Sequence, residues 1–346
     1  MQHPAHVTVV GGGIAGIAAA LNLAQRGLQV ALLERSEALG GNARTICCKA
    51  VDGRCQCCGG CLVGDHLAAL RQAPLTVHLN TTLERVMRTA DGFALYAQSH
   101  EAPILTQAVI LATGFDHIDA RAKGPYGHGL LPQVLSGEEV ERRLTERGQS
   151  AFDGLDLQRV AFIQCVGSRD EHAGRGYCSQ VCCRYGLRLA RLLRSRHPQA
   201  EITIFKMDIQ ACGRDFQETW QALPNEGIRL VAGLPAVLRR SPDEPGRVSF
   251  LYDDVLQGEV DEGAFDLVVL ATGIQPRHDA PAVAEMFDID QDAYGFFAAA
   301  PNETTTLAPG VFVAGCCQAP RSVAESIAHA QRAAQACYDY LQERRP

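Results

Sequence analysis

The sequence predicts an α/β protein made of two parallel-sheet units, one inserted into the other. Three observations carry this. A strand–glycine turn–helix–strand unit opens the chain between Val7 and Glu34. Two apolar runs, Val109-Ile110-Leu111-Ala112-Thr113-Gly114 and Val268-Val269-Leu270-Ala271-Thr272-Gly273, end on the same Ala-Thr-Gly turn. The residues between those runs have their own alternation: a strand over 160–164, a helix over 180–194 and a strand over 202–205. Strands that alternate with helices build parallel sheets covered by helices. The 346 residues suit about two domains. The boundaries read as 1–119 and 274–346 for one discontinuous domain, with 120–273 inserted.

Composition limits the function classes. Hydrophobic residues make up 47% and charged residues 21%, enough apolar material for a core, which excludes wholesale disorder. Lys and Arg total 32 against 39 Asp and Glu, so the basic excess that a nucleic-acid binder uses is missing. The first six residues have neither a charged start nor a long apolar run, so no export signal is read there. No apolar run reaches the roughly 18 residues of a spanning helix. Cysteine is abundant, with 14 residues. A cysteine-rich chain without an export signal is expected in the cytoplasm, where clustered thiols bind metal or do redox chemistry.

The first unit reads in detail. Val7-Thr8-Val9-Val10 runs straight into Gly11-Gly12-Gly13-Ile14-Ala15-Gly16, a helix follows over 17–25, and Gly27 closes it. A second strand over 30–33 ends at Glu34. Gly11, Gly13 and Gly16, with Ala15 between, let the turn approach a pyrophosphate. The helix N-terminus supplies N–H groups and Glu34 can hold a ribose hydroxyl. The chain continues as Arg35-Ser36-Glu37-Ala38-Leu39-Gly40-Gly41-Asn42. This extension resembles that of flavoproteins with two dinucleotide-binding domains, of the glutathione and thioredoxin reductase type.

That resemblance implies FAD, held by Gly11, Gly13, Ala15, Gly16, Glu34, Arg35, Gly41 and Asn42, with Ala112, Thr113 and Gly114 nearby. It also implies that Gly310-Val311-Phe312-Val313-Ala314-Gly315 ends at the flavin ribityl chain, before a helix over about 322–341. Flavoproteins of that type place Asp after the last glycine. Here the position is Cys316, followed by Cys317, and a thiol accepts hydrogen bonds poorly.

The inserted unit has no second glycine loop. After its first strand the chain reads Cys165-Val166-Gly167-Ser168-Arg169-Asp170-Glu171, too few glycines for a pyrophosphate. NAD(P)H binding is not expected there. Instead Cys165 ends the strand, and Cys178, Cys182 and Cys183 open the next helix, with Cys178 and Cys182 on one helical face. Four thiolates suit an iron–sulfur cluster or tetrahedral zinc. The spacing matches neither a ferredoxin run nor a zinc ribbon, and a neighbouring flavin favours the cluster.

Phe162-Ile163-Gln164-Cys165-Val166-Gly167-Ser168-Arg169-Asp170, Tyr177-Cys178-Ser179 and Cys182-Cys183 together resemble the A-type subunits of heterodisulfide reductase. So do Met207-Asp208-Ile209, Gly295 to Phe297 and Gly315-Cys316-Cys317-Gln318-Ala319-Pro320. The resemblance covers nearly the whole chain. It implies FAD and a 4Fe-4S cluster on Cys165, Cys178, Cys182 and Cys183. It further implies partner subunits of the B and C types, a lipoate-binding carrier protein, and a homodimer. The short chain is most similar to the A-type component of the bacterial sulfur-oxidising heterodisulfide-reductase-like complex. Next comes that of the quinone-interacting oxidoreductase of sulfate reducers.

A second group, Cys47, Cys48, Cys55, Cys57, Cys58 and Cys61, falls in a Gly/Lys/Arg-rich stretch that reads as a partly exposed loop. It admits a second cluster or metal site, an exchangeable dithiol of Cys58 and Cys61 near the flavin, or plain packing. The scattered histidines form no metal-spaced pair in sequence. Trp220 reads as helix packing, and 138–147 as a solvated helix face. Two other function classes stay open: an NAD(P)H-dependent disulfide reductase using Cys58 and Cys61, and a zinc-binding flavoprotein scaffold without turnover.

Overall fold

The structure is a computed structural model that describes residues 5–98, 100–210, 216–300 and 303–344. Residues 1–4, within the stretch read as carrying no export signal, and Cys212 lie outside the described residues. The chain divides into two compact units, Met1–Arg44, Gly59–Asp116 and Gln275–Pro346 forming the first, and Thr45–Cys58 with His117–Ile274 the second.

The first unit is built on a seven-stranded sheet. Strands β1 (Ala5–Val10), β2 (Val30–Leu33) and β3 (Thr76–His78) run parallel beside β6 (Ile104–Leu111). The antiparallel β4 (Leu83–Thr89) and β5 (Gly92–Ala97) extend it. The outer edge of β6 is shared: residues 104–106 pair with β5, and 109–111 pair in parallel with β17 (Val311–Val313). Helix α1 (Ile14–Gln25) packs with α7 (Val323–Glu343) and α2 (Gly60–Leu70) over one sheet face. The Ala-rich face of α1 allows that close approach, with Ala18, Ala19 and Ala20 buried against Ala330, Ala333 and Ala334 in one core. On the other face a second core gathers Leu33, Phe93, Leu95, Val109, Val311 and Phe287, the last from α6 (Ala280–Phe287).

The second unit has a five-stranded, all-parallel sheet ordered β11-β10-β9-β15-β8, with β8 at Val134–Ser136, β9 at Arg159–Val166, β10 at Glu201–Lys206, β11 at Ile228–Ala232 and β15 at Leu267–Thr272. Its central strands β9 and β15 are buried along almost their whole length and are mostly apolar, as a sheet covered on both faces requires. Helices α3 (Gly137–Arg147) and α4 (Cys182–Arg196) pack on one face. Opposite them, β12 (Arg239–Arg240), β13 (Val248–Asp254) and β14 (Glu259–Phe265) form an antiparallel sheet. Phe205 meets Phe250, Tyr252 and Phe265 edge-on in that second core. The short helix α5 (Phe216–Gln221) carries Trp220 against the α4 side. Two-residue strands β7 (Asp116–His117) and β16 (Ile274–Gln275) mark where the chain passes between units.

Residues 45–58, read from sequence as part of the first domain, group with the second unit. Lys49 is 1% exposed and forms an ion pair with Glu141 of α3. The other Glu141 oxygen accepts from the Cys47 N–H at 3.0 Å, and Thr145 Oγ1 donates to the Thr45 carbonyl at 2.9 Å. Gln56 donates to the carbonyls of Lys49 and Arg188. A buried ammonium is held only where a carboxylate partners it, so this strap is fixed to α3. The reading of 138–147 as solvated is corrected at Glu141, which is 8% exposed. Among the described residues no helix is long and apolar enough to cross a membrane.

Candidate functional site

The glycine turn of the first unit fits a dinucleotide. Gly11 has φ +108°, and a Cβ there would sit 2.4 Å from the Ala112 carbonyl oxygen. A Cβ on Gly16 would lie 1.8 Å from the Gly11 oxygen, so the turn and α1 touch backbone to backbone. Gly13 is different. It caps α1 with no side-chain bond, has no acid in the following turn, and faces open space where a Cβ would go. The N–H groups of that helix end are therefore available to an anion.

Glu34, at the end of β2, is buried and oriented. Its Oε2 accepts from the Gly12 N–H at 2.7 Å, and its Oε1 from the Ser36 N–H and hydroxyl at 2.8 and 2.5 Å. A carboxylate has about four acceptor positions, which leaves one on Oε2 for a ribose hydroxyl. Gly40 and Gly41, both with positive φ, follow, and Gly41 lies against Gly13. Asn42 donates to the Phe115 carbonyl at 2.9 Å, next to the Ala112-Thr113-Gly114 turn. Arg35 pairs instead with Asp279 at 3.1 Å. These residues fit the adenosine diphosphate half of FAD.

At the other end, Gly315 has φ +75° and lies against Ala15, where a Cβ would come within 2.6 Å of the Ala15 methyl carbon. The Cys316 thiol turns inward, to the Arg321 carbonyl at 3.3 Å and the Ser326 hydroxyl at 3.6 Å, and burial pushes its pKa up. It is not presented as a substitute for the expected carboxylate. Sequence reasoning missed His329, whose Nδ1 accepts the Gly315 N–H at 2.9 Å while its Nε2 donates to the Glu303 carbonyl at 2.7 Å. No local motif marks it; only the fold brings α7 to that turn.

In the second unit the four predicted thiols gather at the end of β9. Ile163 pairs with Leu270 and Val166 with Thr272, so Gln164 and Cys165 together stand opposite Ala271. This bulge re-aims a side chain. Cys165, at φ +58°, meets the Cys182 thiol of α4. That hydrogen bond lowers the Cys165 pKa and raises Cys182 well above the ordinary thiol value. Cys182 also holds Cys183 down, to about 7. Cys178 lies close enough to feel the charges of Cys165 and Cys183, and burial raises its pKa.

One expectation fails here. Cys178 and Cys182 do not share a helical face, because α4 begins only at Cys182. Gln180 takes the left-handed conformation, and the Ser179 hydroxyl accepts the Ile274 N–H at 3.0 Å instead of continuing a helix. Arg169, also left-handed, bonds the Cys165 sulfur and pairs with Asp208, bringing positive charge to the thiols. Cys165, Arg169 and Gln180 each cost about 1–3 kcal/mol in this conformation, which marks sites overdetermined by their surroundings. Among the described residues no group of three or more His, Cys, Asp or Glu is arranged to hold a single metal ion. The chemistry of the donors, soft thiols beside a guanidinium and a helix N-terminus, fits the ligands a cluster takes.

The second cysteine group does not behave as one. Cys47 is buried, and burial pushes its pKa up to about 12, so it packs in the α3–α4 core. Cys48, Cys55, Cys57 and Cys61 are exposed, and Cys58 is half-buried. The Cys57 N–H donates to the Cys55 sulfur at 3.2 Å, and the half-buried Arg188 faces the thiols of Cys55, Cys57 and Cys58. Among the described residues, two histidines far apart in sequence meet in space: His78 Nδ1 and His100 Nε2 are 2.9 Å apart.

The pyridine nucleotide-disulphide oxidoreductase family matches residues 5–336. The fold is similar to thioredoxin reductases from Lactococcus lactis (TM-score 0.63, 20% identity, 98% of this chain and 99% of that one) and T. acidophilum (0.65, 18%, 98% and 99%). In sequence, the chain is 30% identical to an A-type iron-sulfur component of CoB–CoM heterodisulfide reductase from Methanopyrus kandleri, across 94% of this chain and 63% of the relative. It is also 30% identical to the A-type component of the H2/formate:CoB-CoM heterodisulfide,ferredoxin reductase of Methanococcus maripaludis, across 95% and 63%. The chain thus spans less than two thirds of those relatives' length. Family match, sheet topology and glycine turn agree, and the chain belongs to the pyridine nucleotide-disulphide oxidoreductase family, as an oxidoreductase whose relatives include the A-type subunits of heterodisulfide reductases.

Proposed function

We propose that the chain is an FAD- and 4Fe-4S-carrying electron-transfer component of a cytoplasmic heterodisulfide-reductase-like complex, acting in sulfur oxidation. The observation that carries this reading is the replacement of the second unit's nucleotide loop by Cys165, Cys178, Cys182 and Cys183, beside Arg169. The same feature speaks against NAD(P)H as a direct donor. FAD, when bound, couples two-electron to one-electron chemistry, and a cluster carries single electrons.

The chain's residues supply binding and electrostatics. The α1 N-terminus and Gly13 hold the pyrophosphate, Glu34 orients the ribose, and Gly315 lets the chain pass close to the ribityl end. Arg169 offsets negative charge at the thiolates, while the bulge at Gln164–Cys165 aims the Cys165 thiol at Cys182. Partners of the B and C types, a lipoate-binding carrier and a homodimer belong to the same proposal; the relatives' names as A-type components support partner subunits in general.

The test is anaerobic purification with flavin, iron, sulfide and zinc quantified, and EPR after reduction. About one FAD and four irons per chain support the proposal, and Cys165→Ser should then lose iron while keeping flavin. Zinc without iron, or flavin reduced directly by NADH in an iron-free protein, overturns it; the second outcome favours a disulfide reductase using Cys58 and Cys61.

A further inference from the structure

Three of the seven buried side-chain atoms that lack a partner among the described residues belong to two residues flanking Cys165. Both the nitrogen and the oxygen of the Gln164 carboxamide are orphaned, as is the Ser168 hydroxyl. Gln164 is 0% and Ser168 2% exposed. A buried polar group normally finds a partner, and one left without calls for a specific explanation.

Their placement supplies it. The Gln164 amide lies against Gly186, where a Cβ would come within 2.3 Å of its nitrogen. Gly186 is one turn along α4 from Cys182, so only glycine leaves room for the amide on that face. Ser168 lies against Gly273, where a Cβ would be 3.0 Å from its hydroxyl and 2.3 Å from that of Ser179, the residue after Cys178. Two glycines thus clear space for two polar side chains close in sequence to Cys165, one against α4 a turn from Cys182 and one by the glycine that Ser179, the residue after Cys178, also approaches. Cluster sulfides and cysteine thiolates accept hydrogen bonds and donate none. The groups that suit them are amide N–H and hydroxyl O–H.

We propose that the Gln164 carboxamide and the Ser168 hydroxyl donate hydrogen bonds to the sulfur atoms of a cluster held by Cys165, Cys178, Cys182 and Cys183, and that they set its reduction potential. This rests on the cluster reading above. Donors to cluster sulfur favour the more negative, reduced form and raise the potential. Gln164 and Ser168 are positioning residues, since they act on the cluster and carry no electron.

The experiment uses the full chain, purified anaerobically, with a redox titration followed by EPR. Gln164→Met fills the same volume without a donor. It should keep iron, sulfide and flavin while shifting the oxidised-to-reduced ratio about tenfold at a fixed potential, or about 59 mV downward for one electron. Ser168→Ala should shift in the same direction. Full iron with a wild-type potential in both variants overturns the inference and leaves the cluster reading intact, whereas a wild-type protein without iron overturns both. Should the variants fail to load, pulsed EPR on wild-type protein carrying heavy nitrogen only in glutamine side chains decides. A coupling to the cluster supports the inference, and its absence overturns it.

Discussion

His329 is wholly buried, and each ring nitrogen is committed, one accepting from Gly315 and the other donating to Glu303. That pattern needs the neutral ring. Burial first, then the nearby Arg321 charge and more weakly Arg332, lower its pKa from 6.5 to about 4, opposed by the hydrogen bond to, and the charge of, Glu303. The unfolded chain therefore takes up a proton between those values that the folded chain refuses. Stability from this residue is full above pH 6.5, falls as the pH drops through the window, and is gone below about 4. The contribution is at most about 3 kcal/mol. Urea unfolding at a series of pH values should show that slope in the wild type and a flatter one in His329→Asn. Equal slopes would mean the histidine is not kept neutral.

At the scale of elements, the strap 45–58 and helix α3 hold each other through Lys49 and Glu141. Removing one partner leaves a buried charge alone, which costs about 3–5 kcal/mol. Lys49→Met should lower the unfolding free energy by that amount and speed alkylation of Cys55 and Cys57. Lys49→Met with Glu141→Leu should recover much of the loss, since a matched apolar pair replaces the ions. Non-recovery would locate the strap's stability in the Gln56 and Thr145 bonds instead. None of this was legible in sequence: Glu141 sits among Glu138, Glu139, Arg142 and Arg143, a pattern that locally describes a solvated face. The opposite holds for Val7 to Glu34, where strand, turn, helix and acid are set by neighbours within one supersecondary unit. Cys178 shows a middle case. Its spacing was visible, but the hydroxyl of Ser179 finds its partner at Ile274, 95 residues away, and that contact stops the helix.

Over the whole molecule, the two proposed cofactor sites draw on different units, Gly13 and Glu34 from the first and the thiol quartet from the second. Gly13→Asp tests whether they load independently. Its Cβ meets open space and Asp is a good N-cap, so the fold should keep or gain stability, within about 1 kcal/mol. The added carboxylate repels a pyrophosphate at the same helix end. Flavin absorbance should disappear while iron content stays at the wild-type level. Loss of both would show that flavin is needed before the second site forms. The broad architecture was readable because two Ala-Thr-Gly turns bracket the second unit. Gln164 and Ser168 were visible in a motif, yet their lack of partners is a property of the packed interior alone.

The passage of 45–58 into the second unit has a practical result for anyone dissecting this protein. The polypeptide changes unit four times, after Arg44, Cys58, Asp116 and Ile274. Excising 117–274 as a module would strip Lys49 of its carboxylate and leave Cys47 in water on the surviving half. The transplantable piece is that stretch together with its fourteen-residue strap, so a working graft needs two splices in the host rather than one.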